Sequence, residues 1–192
     1  MASNPGIVKI EDNLNPEQRG QAQELITAIS SLFSTQPGQT HLKTHHIQME
    51  LGIKVRENPK PLPQKLRETM KEELHSMLAL GVIEESFSNW KSPMVLVPKL
   101  DGSTHFCIDF RKVNAVSKFD AYPRPRVDEL LNWLGKAEYI TTLDLTKGYW
   151  QIPLAPESRE KTTFSTPFGL FQFRTMPFGL HGVPATFQWL MD

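Results

Sequence analysis

The sequence predicts an α+β fold, because helical and extended patterns mix irregularly along its 192 residues. Apolar residues recur at helical spacing near the start, whereas the middle of the chain carries short apolar runs of strand length. The Asp101-Gly102 pair between two such runs is a strong β-hairpin signal. No regular strand–helix–strand repeat is present, so we do not expect a parallel α/β sheet.

The first predicted helix has a clear start. Asn15 is typical of an N-cap, and Pro16 suits the first helical position. Pro37-Gly38 is expected to end the helix, and the segment up to residue 60 is irregular or extended. The apolar stripe expected to face inward comprises Ala22, Leu25, Ile26, Ile29, Leu32 and Phe33.

A second helix is predicted from about Pro63 to Gly81, where the glycine stops it. Extended patterns follow from Val82, interrupted by a loop-like stretch at 111–126. The expected inward residues of this helix are Leu66, Met70, Leu74, Met77 and Leu78. The strand candidates are PMVLVPK (93–99), THFCIDF (104–110), EYITTLDL (138–145, buried), WQIPL (150–154), KTTFST (161–166) and FQFRT (171–175), with helices at 127–134 and 182–192.

Composition excludes several classes of protein. Hydrophobic content of 39% and charged content of 22% are ordinary for a globular domain, and no apolar run approaches the roughly 18 residues of a membrane span. The first residues lack the blocks of a signal peptide, so we expect a cytoplasmic or nuclear protein that is not secreted. Cys107 is the only cysteine, which excludes an internal disulfide or a thiolate metal cluster.

Net charge gives no partner, because 21 basic residues balance 21 acidic ones. The window from Lys91 to Arg126 is locally basic, with seven basic and three acidic residues. Such a window suits a phosphate-binding groove or an ordinary solvated face. Both interpretations stay open at this point.

Two long stretches resemble one known family. TTLDLTKGYWQIPLAPESREKTTFSTPFGLFQFRTMPFGLHGVPATFQ (141–188) is similar to the core of gypsy-type LTR retrotransposon reverse transcriptases. LALGVIEESFSNWKSPMVLVPKLDGSTHFCIDFRKVN (78–114) is similar to the fingers of the same family. The resemblance implies a partial reverse transcriptase domain at 61–192 after an N-terminal extension at 1–60. Fingers would occupy about 61–118 and 152–181, and an incomplete palm about 119–151 and 182–192.

The resemblance implies an RNA-directed DNA polymerase within a pol polyprotein that commonly also carries ribonuclease H. Its partners would be an RNA or DNA template-primer, a dNTP and the remainder of the polyprotein, with Mg²⁺ or Mn²⁺ as cofactor. Phosphoryl transfer needs carboxylates that hold such ions. Asp144 matches the catalytic metal ligand, assisted by the Leu145 carbonyl. From the residues alone, Asp144 also fits a turn or helix cap before Thr146.

The resemblance also assigns binding residues. Tyr149 matches the residue beneath the incoming sugar, although from the residues alone core packing beside Trp150 is the favoured interpretation. Arg111 matches a template contact, but an exposed ion pair braced by Asp109 is the alternative. Gly179 and Gly182 would permit close approach of the backbone to a ligand, although an ordinary turn explains these glycines equally well. The nucleotide-binding set is Lys99, His105, Tyr149, Phe178 and Gly179, and the template-binding set is Arg111, Asn114, Gly182 and Pro184.

Three departures from the family pattern bear on activity. His105 stands where the family has an arginine that grips the triphosphate, and histidine is mostly neutral at pH 7. Leu100 replaces a basic residue. The Tyr-x-Asp-Asp motif, which supplies the other carboxylates, does not occur by Asp192. We therefore expect the chain alone to be inactive, with exposed apolar surface on 150–154 and on the last helix; a non-catalytic, retroelement-derived binding module is the alternative.

Overall fold

A computed structural model describes residues 8–10, 12–50, 53–59, 61–98, 104–118, 126–135 and 137–192. The chain divides into two compact units, the first ending at Pro37 and the second running from Gly38 to Asp192. Helices and a mostly antiparallel sheet mix in the second unit, which confirms the α+β prediction. The predicted division of the chain after residue 60 stays a prediction.

The helices are α1 (Pro16–Ala28), α2 (Arg67–Ala79), α3 (Arg111–Val116), α4 (Val127–Leu134), α5 (Pro156–Arg159) and α6 (Val183–Met191). The strands are β1 (Gln48–Met49), β2 (Ile83–Glu85), β3 (Ser92–Pro98), β4 (Thr104–Ile108), β5 (Ser117–Lys118), β6 (Phe164–Thr166) and β7 (Gly169–Phe173). Short 3₁₀ helices lie at Ser30–Leu32, Gln64–Leu66, Gly148–Gln151 and Glu160–Thr162. No helix of the described residues is long and apolar enough to span a membrane.

Helix α1 begins as predicted but does not bury its apolar stripe. The Asn15 side chain accepts from the Gln18 N–H, and the Gln18 side chain accepts from the Asn15 N–H, so a capping box closes the start. No residue of α1 is buried, and Leu25 is 62% exposed. The prediction of an inward stripe is therefore wrong for α1. The helix also ends at Ala28, well before the predicted stop at Pro37-Gly38.

A five-stranded sheet in the order β2-β7-β6-β3-β4 forms the centre of the second unit. Strands β3 and β4 pair antiparallel from Met94 opposite Ile108 to Pro98 opposite Thr104, as the hairpin prediction requires. The predicted turn at 100–103 lies outside the described residues. Strand β6 joins β3 in parallel and β7 antiparallel, so it is central in the sheet.

The core of the sheet is aromatic, and α2 packs apolar side chains into the same cluster. The centroid of the Phe164 ring lies 6.0 Å from that of Phe171 and 5.4 Å from that of Phe173. Met70, Leu74 and Met77 of α2 are buried in the cluster, which confirms most of the predicted stripe. Leu78 is 37% exposed, so its inward assignment is wrong. Gly81 ends the helix with a φ of +67°, a conformation that favours glycine.

The stretch predicted to be a loop at 111–126 begins with regular structure. It forms α3 and then β5, which pairs antiparallel with β1. Burial of Val113 and Asn114 explains the helix, because both side chains face the protein interior. The local composition does not predict that these two side chains are buried. Residues 119–125 lie outside the described residues.

The segment 138–145 is not the buried strand that its composition predicts. It has no regular structure, and Tyr139, Ile140 and Leu143 are 63%, 65% and 73% exposed. Strand formation needs a neighbouring strand to complete the backbone hydrogen bonds. No strand among the described residues pairs with this segment, so its apolar side chains remain in solvent. The neighbouring helix α4, predicted correctly, also buries none of its residues.

The segment 150–154 is neither the strand nor the exposed apolar surface that the sequence predicts. It continues a 3₁₀ turn and then forms only isolated bridges, Pro153 with Thr175 and Leu154 with His45. Ile152 and Leu154 are fully buried, at 0% and 1% exposure, so the prediction of exposed apolar surface on this segment is wrong. The corresponding expectation for the last helix is confirmed, because Trp189 remains 47% exposed.

Candidate functional site

Asn114 ties helix α3 to the loop between β7 and α6. Its Nδ2 donates to the Gly179 carbonyl at 2.8 Å, and its Oδ1 accepts from the His181 N–H at 3.0 Å. The Asn114 side chain is buried, whereas Gly179 and His181 are exposed, so both of these bonds are partly shielded from water. One amide thereby fixes two backbone groups of the 177–182 loop, and it does so with both ends of its side chain.

Gly179 adopts a backbone conformation that other residues rarely reach. Its φ is +94°, and an added Cβ would lie 3.6 Å from the Phe110 ring and 3.7 Å from the Ile108 carbonyl. Those contacts are ordinary in length, so backbone strain rather than space demands glycine here. The loop thus lies directly against the end of β4 and the start of α3.

Tyr149 and Phe178, both predicted to bind the nucleotide, lie in contact. Their ring centroids are 4.9 Å apart, and the Phe187 ring of α6 meets Tyr149 edge-on at 5.1 Å. Tyr149 is half-buried, whereas Phe178 is 56% exposed. A Cβ on Gly148 would lie only 3.1 Å from Phe187, so a small residue there allows α6 to approach. Packing and an exposed aromatic face therefore coexist at Tyr149.

Arg111 is exposed and paired with Asp109. Its Nε and Nη2 donate to the two carboxylate oxygens at 2.8 and 2.6 Å, which is the predicted bracing by Asp109. The guanidinium is 83% exposed, while the carboxylate is only 9% exposed. Hydrogen bonding and charge from Asp109 raise the pKa of Arg111, so the cation is permanent. An open cavity of about 390 Å³ extends between Arg111 and Gly179.

Asp144 and Leu145 are not assembled into a metal centre by the described residues. Both are exposed and lie in the segment without regular structure. Across the described part of the chain, no group of three or more His, Cys, Asp or Glu side chains is placed to hold a metal ion. Mg²⁺ requires near-octahedral oxygen coordination. One exposed carboxylate does not supply it, so these residues do not fit a two-metal site by themselves.

The structure describes three of the four remaining predicted site residues. Lys99 lies outside the described residues. His105 pairs with Val97 through its backbone in the β3–β4 hairpin. Gly182 is the N-cap of α6 and Pro184 lies in its first turn, as predicted. The structure thus brings Tyr149, Phe178, Gly179, Asn114 and Gly182 together around one loop, and it leaves Asp144 outside that group.

A family model described as "Reverse transcriptase (RNA-dependent DNA polymerase)" matches residues 97–192, which is half of the chain. The chain belongs to the reverse transcriptase family. Its match includes the paired Asp109 and Arg111, the loop held by Asn114, and helix α6. The resemblance seen in the sequence is therefore confirmed.

The curated relatives of this chain include retrovirus-related Pol polyproteins of transposons. The chain is 43% identical over 137 residues to the retrovirus-related Pol polyprotein from transposon 297 of Drosophila melanogaster, covering 69% of this chain and 13% of the polyprotein. It is 40% identical over 126 residues to the Pol polyprotein from transposon gypsy of the same organism, covering 62% and 12%. The chain thus spans about an eighth of the length of these relatives.

The fold agrees with a solved reverse transcriptase. The crystal structure of the prototype foamy virus protease-reverse transcriptase CSH mutant superposes with a TM-score of 0.81 at 25% identity. The likeness covers 93% of this chain and 24% of that one. The α+β reverse transcriptase fold predicted from the sequence is confirmed.

Sequence reasoning missed a contact between the N-terminal part of the second unit and α6. His45 Nδ1 shares a hydrogen bond of 2.8 Å with the Thr186 hydroxyl, and His45 is buried. Its neighbour His46 is exposed and pairs with Glu157 at 3.0 Å. The sequence gives no sign of either contact, because the partners of the two adjacent histidines lie more than a hundred residues away.

We expect the protein to lose stability in acid because His45 is buried. Burial lowers the pKa of His45 from 6.5 to about 4, with the charges of His46 and Lys43 as smaller causes. The unfolded chain therefore binds more protons than the native chain between these values. We expect the contribution of His45 to the free energy of unfolding to be complete above pH 6.5. It falls as the pH drops towards 4, by about 3 kcal/mol at most.

Urea unfolding at pH 7.5, 6.0 and 5.0 measures this loss. His45→Asn removes the titrating ring and keeps a hydrogen-bonding amide near Thr186. The variant is expected to be less stable at neutral pH and to show a flatter pH dependence than the parent chain. Parallel curves for the two proteins would show that His45 does not carry the effect.

Proposed function

We propose that this chain holds the template strand and the incoming nucleotide for an RNA-directed DNA polymerase of a retrotransposon. The single observation that supports the proposal is the 177–182 loop. Asn114 bonds it at two backbone groups, and Tyr149 packs beneath Phe178 beside it. A loop fixed in this way offers backbone and an aromatic face to a ligand without further ordering, which lowers the entropic cost of binding.

The nucleotide would lie on the Tyr149 and Phe178 side of the loop. The exposed Phe178 ring offers a face for stacking, and the bulk of Tyr149 beside it would exclude a ribose hydroxyl. Gly179 lets the backbone approach closely. Lys99 and His105 would contact the triphosphate, and a histidine gives a weaker contact there than an arginine.

The template would lie on the Arg111 side. The guanidinium is exposed and permanently charged, and Asp109 fixes its direction, so it presents a donor to a phosphate at little cost in side-chain entropy. Gly182 and Pro184 form the start of α6, which would lie against the template strand. Asn114 acts here as a positioning residue, because both ends of its amide are bonded to the loop.

The complete polymerase would use Mg²⁺ or Mn²⁺, with Asp144 and the Leu145 carbonyl among the ligands. The described residues do not form such a site alone, so we derive no chemical step through the ion. The remainder of a pol polyprotein would have to supply the other carboxylates. A nucleic-acid-binding module without catalysis is the second candidate, and the isolated, exposed Asp144 favours it for this chain.

Fluorescence anisotropy with a labelled RNA/DNA template-primer tests the proposal. We expect the purified chain to bind, and Arg111→Ala to weaken binding roughly fivefold through loss of one phosphate contact. Arg67→Ala is the matched control, since Arg67 starts α2 and bonds only to Gln64 among the contacts seen. Absence of binding by the parent chain, or equal effects of the two variants, would contradict the proposal.

Primer extension separates the two candidates. With Mg²⁺ and dNTPs, we expect no extension by the purified chain, because one exposed carboxylate cannot position two ions. Extension that Asp144→Asn abolishes would show that the chain is a complete catalyst and that a binding-only function is wrong.

A further inference from the structure

A basic groove lies beside the loop that the proposed function uses. We define it by the segment 43–48 on one wall, α6 on the other and the α3–β5 junction at one end, with a cavity of about 170 Å³. None of its lining residues is an aspartate or glutamate, whereas five are lysines or histidines. In a chain with no net charge, two lysines in a lining without carboxylates favour an anionic ligand.

One of the two lysines of the basic groove is held in place. The Lys43 ammonium lies 3.5 Å from the centre of the Trp189 ring, so the indole restrains a side chain that would otherwise be mobile. The Glu157 carboxylate, which is not part of the lining, accepts a hydrogen bond from His46 Nδ1 at 3.0 Å. Lys118 lines the groove from β5. Restraint before binding reduces the entropy lost when a ligand arrives.

The floor of the basic groove adds little charge of its own. It includes the start of α6, but Pro184 has no N–H and the Val183 N–H donates to the Leu180 carbonyl at 3.4 Å, so this helix start offers few donors to an anion. His45 bonds to Thr186, and its lowered pKa leaves it neutral at pH 7. The attraction for an anion therefore rests on the lysines that line the groove.

We propose that the basic groove binds a backbone phosphate of the nucleic-acid strand, with Lys43 and Lys118 as its cationic contacts. The inference rests on the proposed function and extends it, since it adds residues of the segment before the predicted 61–192 domain. Asn114 and Gly182 line both the groove and the loop, so a strand on the loop continues directly into the groove. A phosphodiester fits better than a metal ion, because no carboxylate lines the space.

Salt dependence of binding tests this inference. In anisotropy titrations with the labelled RNA/DNA template-primer, the double variant Lys43→Ala/Lys118→Ala should bind about tenfold more weakly at low salt. The slope of log K against log salt should shrink by roughly 0.7–0.9, for the loss of one neutralised phosphate. Lys65→Ala/Lys71→Ala is the matched control, because both lysines lie outside the groove near α2. It should leave the slope unchanged.

Two probes identify the ligand class, and unfolding curves confirm that each variant folds. A peptide nucleic acid of the same sequence, which has no phosphates, should bind both proteins equally weakly. Inorganic tripolyphosphate should compete poorly, because it reaches only the groove, whereas the template-primer also contacts the 177–182 loop and Arg111. An unchanged slope for the double variant overturns the inference and leaves the proposed function standing. Failure of the parent chain to bind overturns both, and strong tripolyphosphate binding lost only in the double variant assigns the groove to free polyphosphate instead.

Discussion

Replacing Asn114 by alanine is expected to lower the free energy of unfolding by about 1–3 kcal/mol and to weaken template-primer binding at least tenfold. The substitution removes a donor to the Gly179 carbonyl and an acceptor for the His181 N–H. Each of these part-buried hydrogen bonds contributes about 0.5–1.5 kcal/mol. The loop then samples other conformations, and its ligand-binding shape is populated less.

Chemical denaturation followed by anisotropy separates the two effects of Asn114→Ala. Lys112→Ala, on the exposed face of the same helix, is the matched control. It removes only a surface pair with Glu57 at 3.5 Å, and such pairs contribute about 0–1 kcal/mol. If Asn114→Ala lost stability but bound the template-primer as tightly as the Lys112→Ala variant, the amide would support the fold without positioning the loop.

The elements that sequence predicted well carry their own local signals. Helix α2 has helical spacing and a terminal glycine, and α1 has its cap at Asn15. Strands β3 and β4 flank an Asp-Gly pair, so their antiparallel pairing followed from turn chemistry. Each of these patterns acts over a few residues. A reader of the sequence therefore has all of the information that determines them.

The failures share a dependence on distant contacts. The segment 138–145 has strand composition, yet no described strand lies beside it. The helix at 111–116 forms where composition indicates a loop, because Asn114 reaches a backbone carbonyl 65 residues away. Likewise, Leu25 lies on a stripe with helical spacing and stays exposed. Periodicity reports which face is apolar, but it does not report whether anything covers that face.

The candidate site follows the same division. Family resemblance selected Tyr149, Phe178 and Gly179 one by one, and the structure shows that they meet at one loop. The basic groove could not be found in this way. Lys43 and Trp189 are separated by most of the second unit, and no motif joins them. Lys43 and Trp189 become part of a candidate phosphate site only because the fold brings them together.

The central sheet should depend on Phe164 more than on any surface aromatic residue. Phe164 is fully buried and contacts the rings of Phe171 and Phe173. We expect Phe164→Ala to lower the free energy of unfolding by about 3–5 kcal/mol, since the lost transfer energy adds to the cavity left behind. That is a large share of the stability of a domain this size.

Tryptophan fluorescence during urea unfolding measures the loss. Phe87→Ala is the control with the same chemistry, because Phe87 is 94% exposed and should change stability by less than about 0.5 kcal/mol. Strand β7 leads directly into the loop held by Asn114, and Met176 after it donates a backbone hydrogen bond to Ile152. Phe164→Ala should therefore weaken template-primer binding as well, in proportion to the fraction unfolded. A loss below about 1 kcal/mol would mean that the three rings do not form the packed centre on which the loop rests.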